Sequence, residues 1–229
     1  TVIDESNFIF ETWFDNKTNL ELINLRDDEI KLLDNFEMEG NNWLLEEKMT
    51  NGAYLSVGYK DGKWNLSSID FSKKNYNIIK NNLPAPLNAD RSHIRLSSAN
   101  GNNLFYLDSN NRLNIYQLNG GKVLNEVIFN NVANFTLAKK SSNFVISTLN
   151  DGLLLINANN MVQFGTVPCV DSPTLLELSE LGGKLRFVTQ QKIFKEFQLP
   201  VPASPLTMTA TQSTTGFEGD AEYAVDGIT

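Results

Sequence analysis

Apolar and polar residues alternate along this chain in short runs. In Ala53-Tyr54-Leu55-Ser56-Val57-Gly58-Tyr59 every second side chain falls on the same face, which is the two-residue period of a strand. Similar runs are Phe8-Ile9-Phe10, Asn103-Leu104-Phe105-Tyr106-Leu107, Asn143-Phe144-Val145-Ile146-Ser147 and Lys184-Leu185-Arg186-Phe187-Val188. Between them stand Asn51-Gly52, Asp61-Gly62, Asn100-Gly101, Gly120-Gly121, Asp151-Gly152 and Gly182-Gly183. Such dipeptides supply the positive φ that two-residue hairpin loops require. Short strands joined by tight turns predict an antiparallel meander. Arg26 to Asn35 fits neither period well and reads as a strand. Pro173 to Leu181 reads as a short helix, with Ser172 as its cap and Gly182-Gly183 as its stop; a strand is the alternative.

The meander repeats. Asp15-Asn16-Lys17-Thr18-Asn19-Leu20 returns in outline at Asp61-Gly62-Lys63-Trp64-Asn65-Leu66, at Asp108 to Leu118 and at Asp151 to Asn157. The four aspartates are spaced 46, 47 and 43 residues apart. A weaker fifth copy is Gln191 to Leu199. A period of about 40 to 50 residues built from short strands is the signature of propeller blades. One small sheet cannot bury both faces alone, and stacking on its neighbours does so. The fold class expected is therefore all-β: a β-propeller-like array of four to five antiparallel blades over residues 1–199. The repeated aspartates read as turn residues that bond their own backbone.

Composition narrows the partners. The net charge is −8 and the pI about 4.7, and the basic residues are scattered, with Lys73-Lys74 and Lys139-Lys140 as the densest pairs. Nucleic acid is excluded, because phosphate binding needs clustered Lys and Arg. No run of 18 apolar residues exists, so no membrane insertion is expected. Cys169 is the only cysteine, so an internal disulfide is ruled out. Asn makes up about one residue in eight, which reads as a bias of the source rather than a device.

Pro200-Val201-Pro202-Ala203-Ser204-Pro205 reads as a linker, since three prolines in six residues favour an extended form. Beyond it, Ala210-Thr211 with Ser213, and then Ala224-Val225-Asp226-Gly227, resemble the opening of the discoidin, or coagulation-factor C-type, family. The match covers residues 206–229 and departs at its end, where one residue instead of two separates Gly227 from Thr229. The resemblance implies a truncated start of a β-sandwich module. It implies glycan or lipid-headgroup binding through loops beyond Thr229, so no binding residue carries over. It also makes Asp226 the one metal candidate, as part of a structural or cation-holding turn; otherwise Asp226 is a turn residue before glycine.

Catalytic motifs are missing. There is no G-x-S-x-G, H-E-x-x-H, C-x-x-C or phosphate loop, and the Ser-x-Asp-x-Gly-x-Thr-Trp boxes of sialidase propellers are absent. No catalytic residue and no cofactor are expected. His93, the sole histidine, cannot supply a multi-histidine metal site and reads as a loop or strand residue. Asp4, Glu5, Asp90 and Asp171 sit near strand starts, where a propeller glycosidase would place its paired carboxylates. Trp13, Trp43, Tyr59 and Trp64 are the ligand-binding candidates, since aromatic faces stack on sugar rings; at strand positions their competing role is core packing.

Three functional expectations follow. The first is a binding, adhesion or scaffolding protein at a cell or virion surface, recognising a glycan or a protein partner. The second is a propeller glycoside hydrolase with an accessory carbohydrate-binding module. The third is an intracellular, cytoplasmic propeller scaffold. Four to five copies are close to the minimum for closing a ring, so assembly with another chain is a further expectation.

Overall fold

The structure, a computed structural model, describes residues 6–26, 29–49, 52–97, 102–119, 122–149, 152–167, 173, 175–179, 181–189 and 191–199. The chain divides into two units, Thr1–Leu199 and Pro200–Thr229, and everything that follows concerns the first. The proline-rich segment, the discoidin-like segment with Asp226, and residues Asp4, Glu5, Asp151, Cys169 and Asp171 lie outside the described residues.

Among the described residues, five antiparallel sheets follow one another in chain order. Sheet I contains β1 (Asn7–Phe14), β2 (Lys17–Arg26) and β3 (Glu29–Glu39). Sheet II contains β4 (Asn41–Lys48), β5 (Tyr54–Lys60), β6 (Lys63–Asp70) and β7 (Asn75–Leu83). Sheet III contains β8 (Ile94–Leu96), β9 (Asn103–Leu107), β10 (Leu113–Asn119) and β11 (Lys122–Phe129). Sheet IV contains β12 (Val132–Leu137), β13 (Asn143–Thr148), β14 (Leu153–Asn157) and β15 (Val162–Val167). Sheet V contains β16 (Leu175–Leu178), β17 (Lys184–Val188) and β18 (Phe194–Gln198). Within each sheet every strand pairs with the next in the sequence, which is the meander that the turn dipeptides predict.

Apolar seams join the sheets. Ile9, Leu20, Phe36 and Met38 of sheet I meet Leu44, Tyr54 and Ile69 of sheet II. Leu55, Val57 and Leu66 of sheet II meet Ile94, Leu104 and Tyr106 of sheet III. Phe105 and Ile115 of sheet III meet Phe135, Phe144 and Ile156 of sheet IV. Val145 and Leu155 of sheet IV meet Leu178, Leu185 and Phe187 of sheet V. Strands β9 and β13, in the middle of the array, are buried at every position. Sheets covered on both faces demand such near-continuous apolar runs.

The repeat falls on the strands in register. Asp15 lies between β1 and β2, Asp61 between β5 and β6, and Asp108 between β9 and β10. Thus β1 matches β5 and β9, the second strands of their sheets. The bends coincide in place but not in type. Asp15 and Asn16 both have positive φ, as do Asp61 and Gly62, which is the two-residue turn that matches strand twist. At Asp108 the loop is longer: the Asp108 N–H donates to the carbonyl of Arg112 at 2.9 Å, and Asn111 takes the positive φ.

Two expectations need correction. Leu175–Leu178 is a strand, not a helix. Leu175 to Leu178 pair in turn with Val188 to Leu185 of β17, and Leu176 and Leu178 point to the seam with period two; so short a segment cannot sustain a helix of its own. The asparagines also do local work: Asn16, Asn82, Asn88, Asn111 and Asn131 all have positive φ, which Asn tolerates better than other side chains. Among the described residues, no helix is long and apolar enough to cross a membrane.

Candidate functional site

The four aromatic candidates converge. Trp13 from β1, Trp43 from β4, Tyr59 from β5 and Trp64 from β6 line one hollow of about 370 Å³, with Asn41 as its only non-aromatic lining residue among the described residues. The sheet register explains three of the walls. Asn41 stands opposite Tyr59 on β5, and Tyr59 opposite Trp64 on β6. Trp43 lies two residues along β4 from Asn41, hence on the same face. The Trp43 and Trp64 rings are 5.0 Å apart between centroids and inclined at 39°; Tyr59 and Trp64 are 5.1 Å apart at 48°. The rings therefore form slanted walls. The four differ in exposure. Trp43 and Trp64 pack against the seam between sheets II and III, whereas Trp13 and Tyr59 are 49% and 42% exposed.

Trp13 comes from another sheet, and a buried polar network fixes it there. Its indole N–H donates to the carbonyl of Asn42 at 3.0 Å. The Thr18 hydroxyl accepts from the Asn42 backbone N–H at 2.7 Å and donates to the Gly40 carbonyl at 2.8 Å. The Asn42 side-chain amide donates to the carbonyls of Glu39 and Gly40 at 2.9 and 3.0 Å. Two glycines make room for this network. A Cβ at Gly58 would lie 1.9 Å from Oδ1 of Asn42. At Gly40, φ is +85° and a Cβ would lie 2.8 Å from the Tyr59 carbonyl. Glu11 extends the seam: its carboxylate accepts from the Leu44 N–H and pairs with Arg91 at 3.3 Å.

Asn41 and Tyr59 also line a second hollow of about 500 Å³, whose other walls include Asp15, Lys17, Glu39, Lys60 and Asp61. Lys17 pairs with Glu37 at 2.6 Å and Lys60 pairs with Glu39. The hydrogen bond and charge of Glu37 raise the Lys17 pKa above its ordinary value, and Lys60 lowers that of Glu39. Sequence reasoning missed this acidic hollow, since it read Asp15 and Asp61 as turn residues alone.

A larger space of about 870 Å³ lies among β8, β12 and β16. Asp90, His93, Arg95 and Glu177 line it. His93 ends a short 3-10 turn, Arg91–His93, and Asp90 caps that turn by accepting from the Ser92 N–H at 2.8 Å. This backbone hydrogen bond, with one from the Ser92 hydroxyl, holds the Asp90 carboxyl below its usual pKa, the wrong direction for a general acid. No group of three or more His, Cys, Asp or Glu side chains gathers to hold a metal among the described residues.

No family model and no curated protein matches the chain, so the discoidin resemblance rests on its own few residues. Solved structures do match. The chain is similar to the C-terminal WD40 domain of Sif2 at 13% identity and TM-score 0.52, over 86% of this chain and 55% of that one. It is similar to the β-propeller domain of Cps50 (Swd1) from Myceliophteria thermophila at 13% identity and TM-score 0.54, over 87% and 67%. A functionally unknown protein from Desulfotomaculum acetoxidans DSM 771 matches at 15% identity and TM-score 0.55, over 85% and 67%. The chain thus spans between about half and two thirds of the length of these structures. Identity this low speaks for fold alone. The fold is all-β, a propeller-like array of five antiparallel blades.

Proposed function

We propose that residues 1–199 form a non-enzymatic recognition scaffold that binds a protein partner, with the aromatic cup of Trp13, Trp43, Tyr59 and Trp64 as its anchor site. The convergence of these four side chains from two sheets carries the reading. Aromatic anchors in a preformed pocket supply most of the affinity in protein recognition, and here a buried network fixes them in advance. A protein partner fits better than a glycan. Each hydroxyl of a buried sugar ring needs a hydrogen-bonding partner, and among the described residues the cup offers only the Asn41 amide, the Tyr59 hydroxyl and indole N–H groups, of which that of Trp13 is already given to the Asn42 carbonyl.

A peptide display library panned on the full chain tests this, with a glycan array run alongside. Trp13→Ala and Tyr59→Ala, at the exposed walls, serve as cup variants whose folding is checked by circular dichroism. Peptides enriched on the native chain and lost on both variants support the reading. Array sugars that bind through the cup, with no peptide enriched, overturn it.

A further inference from the structure

We propose that the cup takes the arginine side chain of a basic peptide segment, and that the neighbouring acidic hollow receives the adjoining basic residue. The inference deepens the protein-partner reading and rests on it. The cup supplies aromatic faces and almost nothing else. Aromatic faces carry negative potential and attract cations, and a guanidinium also stacks flat upon them. The fold already contains one such contact, with Lys80 Nζ 4.5 Å above the centre of the Tyr116 ring.

Charge makes the choice specific. The hollow that shares Asn41 and Tyr59 with the cup is bordered by Asp15 and Asp61 at the tips of two hairpins, both exposed. Lys17 and Lys60 are offset by Glu37 and Glu39, and Lys63 stands beside Asp61 on its hairpin, so the two aspartates leave a surplus of one negative charge beside the aromatic walls. The chain as a whole carries −8, which draws a basic segment in at long range. A neutral apolar ligand would gain from the rings and nothing from this border.

The test uses the full chain and a built-in signal. All three tryptophans of the sequence line the cup, so their three indole N–H resonances report on it directly. The probe is Ac-Gly-Arg-Gly-Arg-Gly-amide, against the same peptide with citrulline at both arginines, which keeps shape and removes charge. Expected is a shift of the indole signals with the arginine peptide and binding about tenfold weaker with citrulline. Added salt is expected to weaken the arginine peptide only, and Asp61→Asn to weaken it about threefold while leaving the citrulline peptide unchanged. Equal binding of the two peptides overturns the inference, as does the absence of indole shifts with either. The protein-partner reading survives both results if displayed peptides without arginine still need the cup.

Discussion

The hairpins at Asp61 and Asp108 occupy the same place in successive sheets, yet one is open and the other sealed. Asp108 is fully buried. It accepts from the N–H groups of Asn110 and Arg112 at 2.8 and 3.1 Å, and from the Asn114 amide at 3.2 Å. It also pairs with the Arg112 guanidinium at 3.0 Å. Two residues earlier, Tyr106 is buried as well. At the other bend Asp61 is exposed, and Tyr59, two residues earlier, forms a wall of the cup. The repeat dictates where the chain turns. Loop length decides whether the turn closes on itself or presents its acid and its aromatic ring to a ligand.

The contrast can be broken most sharply at its sealed side. Asp108→Ala removes the carboxylate that accepts from Asn110, Arg112 and Asn114 and should cost about 3 kcal/mol, the low end for a broken buried pair because Arg112 is partly exposed. Urea unfolding checks this. Gly40→Ala strains a positive-φ corner and presses on the Tyr59 carbonyl. A loss of about 2 kcal/mol is expected in the same assay, together with altered indole signals from the cup. High pH probes the sealed bend. Burial raises the Tyr106 pKa far above its ordinary value, with the Asp108 charge adding to it. The neutral phenol is therefore the folded form, and its contribution is intact below the unfolded value of about 10. Stability should fall as pH rises beyond that, because the unfolded chain then releases a proton that the folded chain keeps. Phenolate absorbance appearing together with loss of fold would confirm this; Tyr106 ionising in the folded chain would refute it. The smallest effect belongs to the open bend: Asp61→Ala should change stability by no more than about 0.5 kcal/mol, and a larger loss would mean that Asp61 is a structural turn residue like Asp108.

Much of this architecture was legible in the chain itself. Asp15, Asp61 and Asp108 located three of the bends, and the alternating runs located β5, β9, β13 and β17. The helix expected over Pro173 to Leu181 failed because local capping signals outweighed a Leu-Leu-Glu-Leu alternation that only pairing with β17 makes decisive. The cup residues could be named but not assembled. Trp13 belongs to sheet I, and its contact with sheet II depends on the Thr18–Asn42 hydrogen bonds across 24 residues, for which no local pattern exists. One signal was present. Trp13, Tyr59 and Tyr106 each stand two residues before a repeat aspartate, so an aromatic ring flanks an acid in three consecutive copies. That offset, unused in the sequence reading, would have tied Asp15 and Asp61 to aromatic neighbours.

Trp13 rides on one sheet while its three aromatic companions ride on the next, with the Thr18–Asn42–Gly40 knot as a pivot between them. Any rocking of the first blade against the second would therefore widen or narrow the mouth of the cup. An occupant wedged between the walls is expected to brake such rocking. Slower amide exchange along β2, a strand that lends the cup no side chain, would be the mechanical echo of a filled site; unchanged exchange there would show that the two blades do not move against each other.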